Sequence, residues 1–171
     1  MKKLKKIIPD EQYLIKIAQL YCTCFNAPEK AENWTMQSAL EYFRDRVNEA
    51  SIFAVLEEAD GSLSGVCCGG PFGRSFIAQE LEFDLPRTFY ISLVAVEEKF
   101  RGRGVGRGMI HGFCALAEAE GYKGFMVRCR AENEPMLRAL AHEGFSELGR
   151  YEAELGGVTC ERVVLRKGLS F

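Results

Sequence analysis

Residues 89–108 read Phe-Tyr-Ile-Ser-Leu-Val-Ala-Val-Glu-Glu-Lys-Phe-Arg-Gly-Arg-Gly-Val-Gly-Arg-Gly. The opening eight are mostly β-branched or aromatic and contain no Gly or Pro, which predicts a largely buried strand. From Val105 to Glu120 the apolar residues Val105, Met109, Ile110, Phe113, Leu116 and Ala117 recur at helical spacing. Strand, glycine turn and helix therefore follow one another. Glycines let successive backbone N–H groups face one ligand, and the helix dipole adds positive potential at the same point. Phosphate is the guest that this chemistry favours.

Two common phosphate loops do not fit. A Walker loop requires a Gly-Lys pair, and the chain has none. The dinucleotide fingerprint Gly-x-Gly-x-x-Gly fails because its third glycine falls on Arg107, Met109 or His111. What does fit is Arg-x-x-Gly-x-Gly, Arg101 through Gly106, and this resembles the acetyl-CoA pyrophosphate loop of the GNAT superfamily of N-acetyltransferases. A second segment, Asn133-Glu-Pro-Met-Leu-Arg-Ala-Leu-Ala-His-Glu-Gly144-Phe145, resembles the other signature of that family. Read without the family, the first is an arginine-glycine stretch between ordered flanks. The second is a helix capped by Asn133, opened by Pro135 and closed by Gly144.

Outward from these segments the pattern alternates short strands and helices. A first strand is expected at Lys2 to Ile8, a helix at Glu11 to Phe25 and another at Trp34 to Val47. Strands Ser51 to Glu58 and Leu63 to Gly70 meet around Asp60-Gly61, a hairpin signal. Phe72 to Pro86 reads as a loop with some strand. A strand at Gly124 to Arg130, the Asn133 helix, and a hairpin of Phe145 to Leu155 and Val158 to Arg166 complete the chain. The class is α+β, one domain over residues 1–171. The resemblance implies a mixed central sheet of about seven strands, the fourth and fifth splayed apart, flanked by about four helices.

Composition bounds the function. The 171 residues carry a net charge of −2, which argues against nucleic acid or an anionic membrane as partner. The basic start Lys2-Lys3-Leu4-Lys5-Lys6 leads into Ile7-Ile8-Pro9-Asp10 and is not a signal peptide, so a cytoplasmic location is expected. Seven cysteines, an odd number, agree with a reducing compartment. Their spacing, with only His111 and His142 to help, does not make a zinc site, and no metal is expected. Oligomeric state stays open, a homodimer included.

The resemblance implies acetyl-CoA as co-substrate and an amine as acceptor, acetylated by direct attack. A small-molecule amine is expected from the look of the segment containing Phe25 and Trp34, which would wall its pocket or else belong to the core. The backbone amides of Gly102, Arg103, Gly104, Val105, Gly106 and Arg107 would hold the pyrophosphate. Arg101, Arg103 and Arg107 would add charge or sit in solvent. The backbone of Val94, Ala95 and Val96 would meet the pantetheine arm, with Asn133 on the opposite wall. A backbone N–H near Val94 would serve the oxyanion. Family members commonly carry a Tyr at the position of Leu140 as proton donor, and leucine cannot serve; Tyr151, Tyr90 or water would substitute. Base candidates are Glu80, Glu82, Asp84, Tyr90 and Ser92. The alternating carboxylates of Glu80-Leu-Glu82-Phe-Asp84 would share one side if extended, capturing a cationic amine or merely facing solvent. A peptide acceptor and an acyl-CoA binder without activity are the competing readings.

Overall fold

The computed structural model describes residues 2–48, 51–82 and 84–168. Its elements are β1 (Lys5–Ile7), α1 (Glu11–Phe25), α2 (Met36–Asn48), β2 (Ile52–Glu57), β3 (Leu63–Pro71), α3 (Phe76–Leu81), β4 (Thr88–Val96), α4 (Val105–Ala119), β5 (Gly124–Arg130), α5 (Glu134–His142), β6 (Ser146–Leu155) and β7 (Val158–Lys167). The strands make one seven-stranded sheet in the order β1-β2-β3-β4-β5-β7-β6. Among the described residues only β4 and β5 pair in parallel. The α+β class and the mixed sheet match expectation.

The helices follow from local chemistry. Asp10 caps α1 by accepting from the Tyr13 amide at 2.9 Å. Thr35 and Ser38 bond each other's backbone N–H at 3.0 Å, a reciprocal cap that opens α2. In the stretch read as loop and strand there is instead a fifth helix, α3. Ser75 caps it by accepting from Ala78 N at 3.1 Å, and Ile77 and Ala78 are buried near Phe72. Six residues are too few to establish a helical period, so the cap and the burial decide.

Hydrophobic layers cover both sheet faces. One joins Phe89, Ile91, Phe125 and Val127 to Ile110 and Phe113 of α4 and Leu140 of α5. The other joins Phe53, Val66, Leu93 and Ala95 to Ile17 of α1 and Phe43 of α2. Gly65 lets α4 approach β3, since a Cβ there would lie 2.6 Å from Met109 Sδ.

β4 contributes to both layers because it changes phase. Gly69 pairs with Ile91 and Cys68 with Leu93, leaving Ser92 as the extra residue of a β-bulge. Before the bulge the odd-numbered Phe89 and Ile91 face the α4 side. After it the odd-numbered Leu93 and Ala95 face the α1 side.

Candidate active site

The end of β4 feeds a tight turn and then α4. Gly102 and Gly104 hold φ of 74° and 75°, where an added Cβ would meet nothing within 4 Å, so the space before the turn is open. The helix ladder starts with Gly108 N donating to Gly104 O at 3.0 Å. Among the described backbone hydrogen bonds, none uses the amides of residues 102–107. These unclaimed donors at the start of a 15-residue helix form an anion cradle. They suit a pyrophosphate.

The neighbouring arginines divide by role. Arg101 Nε donates to Val96 O at 2.8 Å and lies beside Cys24, whose thiol is pushed up by burial against the pull of Arg101. Its side chain braces the end of β4. Arg107 Nε donates to Glu143 Oε1 at 2.8 Å, and His111 Nδ1 lies 3.0 Å from the same carboxylate. Both guanidiniums thus have a partner within the chain through Nε. Arg103 is the one of the three without a partner among the described residues.

The expected splay is present. β4 and β5 pair from Thr88/Gly124 to Ile91/Val127 and then separate at the bulge. Beyond that point Val94, Ala95 and Val96 pair with β3 on one side, while Arg128 to Arg130 pair with β7 on the other. Each strand therefore leaves an edge facing the gap, where an extended chain can add its own hydrogen bonds. Asn133 follows β5 and caps α5, its side chain accepting from Met136 N at 3.3 Å.

On the α1 side of the gap lies a polar face. Tyr90, on β4, has its phenol pushed up by burial, with the guanidinium of Arg128 pulling the other way. Arg128 Nη1 donates to Tyr151 OH, joining the two tyrosines on either side of β5. Ser92 Oγ donates to Cys68 O at 2.9 Å, so its proton serves the bulge. Arg130 Nη2 donates to Glu32 Oε1 at 3.2 Å, and Trp34 Nε1 donates to Glu32 Oε2 at 3.0 Å. Trp34 thus sits on a segment tied across to β5. Phe25 and Trp34 both pack on Tyr21, with ring centroids at 4.7 Å and 4.8 Å, and both are partly buried against the α1-side core.

One expectation changes. Glu80 lies in α3 and Glu82 ends that helix with φ of 53°, so the extended stretch on which a shared side for Glu80, Glu82 and Asp84 depended is not formed. Asp84 Oδ1 instead accepts from its neighbour Leu85 N at 2.8 Å. Leu140 is fully buried in the α4 layer, so its side chain fills the core. Sequence reasoning also passed over Arg128 and Arg162. A usable signal existed: Met126, Arg128 and Arg130 alternate on an otherwise apolar strand.

Residues 14–145 match the model of the acetyltransferase (GNAT) family. No curated protein matches the chain. Among solved structures, a phosphinothricin acetyltransferase from Sinorhizobium meliloti in complex with AcCoA superposes with a TM-score of 0.74 at 13% identity, covering 98% of this chain and 89% of its own. An N-acetyltransferase from Staphylococcus aureus Mu50 gives 0.74 at 18% identity, covering 98% and 99%. The ribosomal-protein-S18-alanine N-acetyltransferase from Escherichia coli gives 0.74 at 12% identity, covering 100% and 96%. At these identities the structures speak for the fold alone, whereas the family match spans most of the chain. The amide cradle and the splayed strands therefore belong to a member of the acetyltransferase (GNAT) family.

Proposed function

We propose that the protein moves the acetyl group of acetyl-CoA onto the amine of a small molecule by direct attack. The observation that carries this is the β4–β5 gap, bordered by two unpaired strand edges and headed by the unclaimed amides of residues 102–107. The thioester supplies an activated acyl group with a good leaving thiolate. The chain's own part is to bind, orient and move protons. The cradle takes the pyrophosphate, the free edge of Val94 to Val96 pairs with the amide-bearing arm, and Asn133 stands on the opposite wall. A backbone N–H near Val94, beside the bulge, supports developing charge on the acyl oxygen.

Tyr90 and Tyr151 are the residues suited to protonate the thiolate. The raised phenol of Tyr90 stays protonated at neutral pH and acts as an acid. Glu82, exposed at the end of α3, would accept the amine's proton through water. Seven unpaired thiols support a reducing, cytoplasmic setting.

The test is release of free thiol from acetyl-CoA in the presence of small amines and of peptides. Turnover with small amines is expected, with Tyr90→Phe and Tyr151→Phe lowering kcat more than the KM for acetyl-CoA. Turnover with peptides alone would overturn the small-molecule acceptor. Binding of acetyl-CoA without transfer to any amine would overturn the transfer reading.

A further inference from the structure

We infer that Arg130 is a positioning residue for the acceptor: it latches residues 27–33 as a strap across the β4–β5 gap, and the latched strap confines acetylation to small amines. This deepens the acetyl-transfer reading and rests on it.

The strap begins and ends on the β4 half of the sheet. Cys24, in the last turn of α1, has its thiol donating to Val96 O at 3.5 Å, and Phe25 and Trp34 pack on the core that α1 and α2 share with β2, β3 and β4. Between those two residues the chain reaches the other half. Arg130 Nη2, on β5, donates to Glu32 Oε1 at 3.2 Å and to Lys30 O at 3.3 Å. Lys30 Nζ lies 2.8 Å from Glu132 Oε1. Ala31 rests on the β6–β7 turn, where a Cβ on Gly156 would come within 2.9 Å of its own Cβ. Among the described residues β4 and β5 do not pair past Ile91 and Val127. Arg130 stands as far beyond that last pair on β5 as Val94 does on β4. The strap therefore rejoins the two halves beside the stretch of β4 assigned to the acyl group.

Its own bonds leave the strap little slack. Ala27 and Glu32 exchange backbone hydrogen bonds at 3.0 Å and 3.1 Å. Asn26 closes the base, its side chain accepting from Trp34 N at 2.6 Å and donating to Trp34 O at 3.0 Å. Ala31 completes the apex with a left-handed φ of 57°, rare for alanine. Such a loop shifts as one body, and its far anchors hold it down. The anchors are unequal. The side chains of Lys30 and Glu132 are 43% and 58% exposed, so water and salt screen that pair. Those of Arg130 and Glu32 are 13% and 21% exposed, and Trp34 Nε1 holds the other oxygen of Glu32 at 3.0 Å. Arg130 is thus the main latch. A guanidinium suits the task because one planar group serves a carboxylate and a carbonyl at fixed angles. With the latch closed, a compact amine fits beneath the strap, whereas the chain that trails from a peptide amine has to displace it.

The experiment measures thiol release from acetyl-CoA with a panel of small primary amines and a panel of short peptides. Wild type should favour the small amines. Arg130→Gln should lower kcat/KM for the best small amine and raise it for the peptides, shifting their ratio at least about tenfold with the KM for acetyl-CoA unchanged. Arg130→Lys should restore part of the ratio. Glu32→Gln, which weakens the same pair from the strap side, should give the same shift as Arg130→Gln. A merely structural arginine would weaken both classes together. That result, or wild-type use of peptides equal to that of small amines, would overturn the inference while acetyl transfer stood. Trp34, the only tryptophan of the chain, reads the latch without turnover. Its quenching by acrylamide should rise at least about 1.5-fold in Arg130→Gln and stay near wild type in Arg130→Lys. If no amine were acetylated, transfer would fail instead and the quenching would decide: the rise supports the latch, and unchanged quenching in Arg130→Gln refutes it.

Discussion

Gly104 carries two demands at once, a positive φ of 75° and an open space in front of its α-carbon. Asp tolerates that backbone region better than most residues, so Gly104→Asp should fold and place a negative charge where the amides expect an anion. Acetyl-CoA affinity by calorimetry should fall by more than about tenfold, or about 1.4 kcal/mol. Gly104→Ala brings the Cβ without the charge and should lose less; equal losses would show that strain, not charge, was responsible. Leu140 gives a second prediction at this scale. It is fully buried among the residues under α4, so Leu140→Tyr adds volume to a filled core and a hydroxyl with no partner. A loss of about 1–3 kcal/mol in urea unfolding is expected, with no gain in turnover at low pH. A stable variant with raised turnover would show that this position does face the thiolate. The residue types of the cradle were legible in the sequence. Their partners were not, because Arg107 meets Glu143 only when α5 packs on α4.

At the level of elements, that same carboxylate joins two helices. Glu143 has a side chain only 9% exposed; burial alone would raise its pKa, but the bonds from Arg107 and His111 outweigh burial and leave it below the ordinary value. A lowered carboxyl pKa contributes stability that is present above the unfolded value, about 4.3, and is lost as pH falls through the folded value. Glu143→Gln should therefore cost about 1 kcal/mol at pH 7, and the gap from wild type should close below about pH 4. Urea melts at both pH values check this. A gap unchanged by acid would assign the loss to packing. Most elements were readable because their capping or periodicity is local, as with Thr35 and Ser38 or the stripe from Val105 to Ala117. The bulge was not. Phe89 to Val96 is apolar on both faces, so a one-residue change of phase leaves no trace in the hydrophobic pattern.

Across the whole molecule a net charge of −2 conceals a sorted distribution. Arg128, Arg130 and Arg162 come together only through the pairing of β5 with β7, a contact that no local reading supplies. The fold class was legible because two signatures flank the splay, whereas the arginine face of β5 and β7 depends on residues more than thirty positions apart. Ser92 joins these scales. Ile91 and Leu93 already oppose adjacent residues of β3, so deleting Ser92 would leave every later β4 side chain on its present face and merely straighten the ladder. The shortened protein should melt no lower than wild type, because only an unpaired residue and its bond to Cys68 are removed. Its acetyl transfer should nonetheless collapse, since a straighter β4 has less reason to part from β5. A deletion that stayed fully active would separate the bulge from the opening of the gap. On this view the residue is a standing trade of sheet regularity for chemistry, and selection for thermal tolerance alone would discard it.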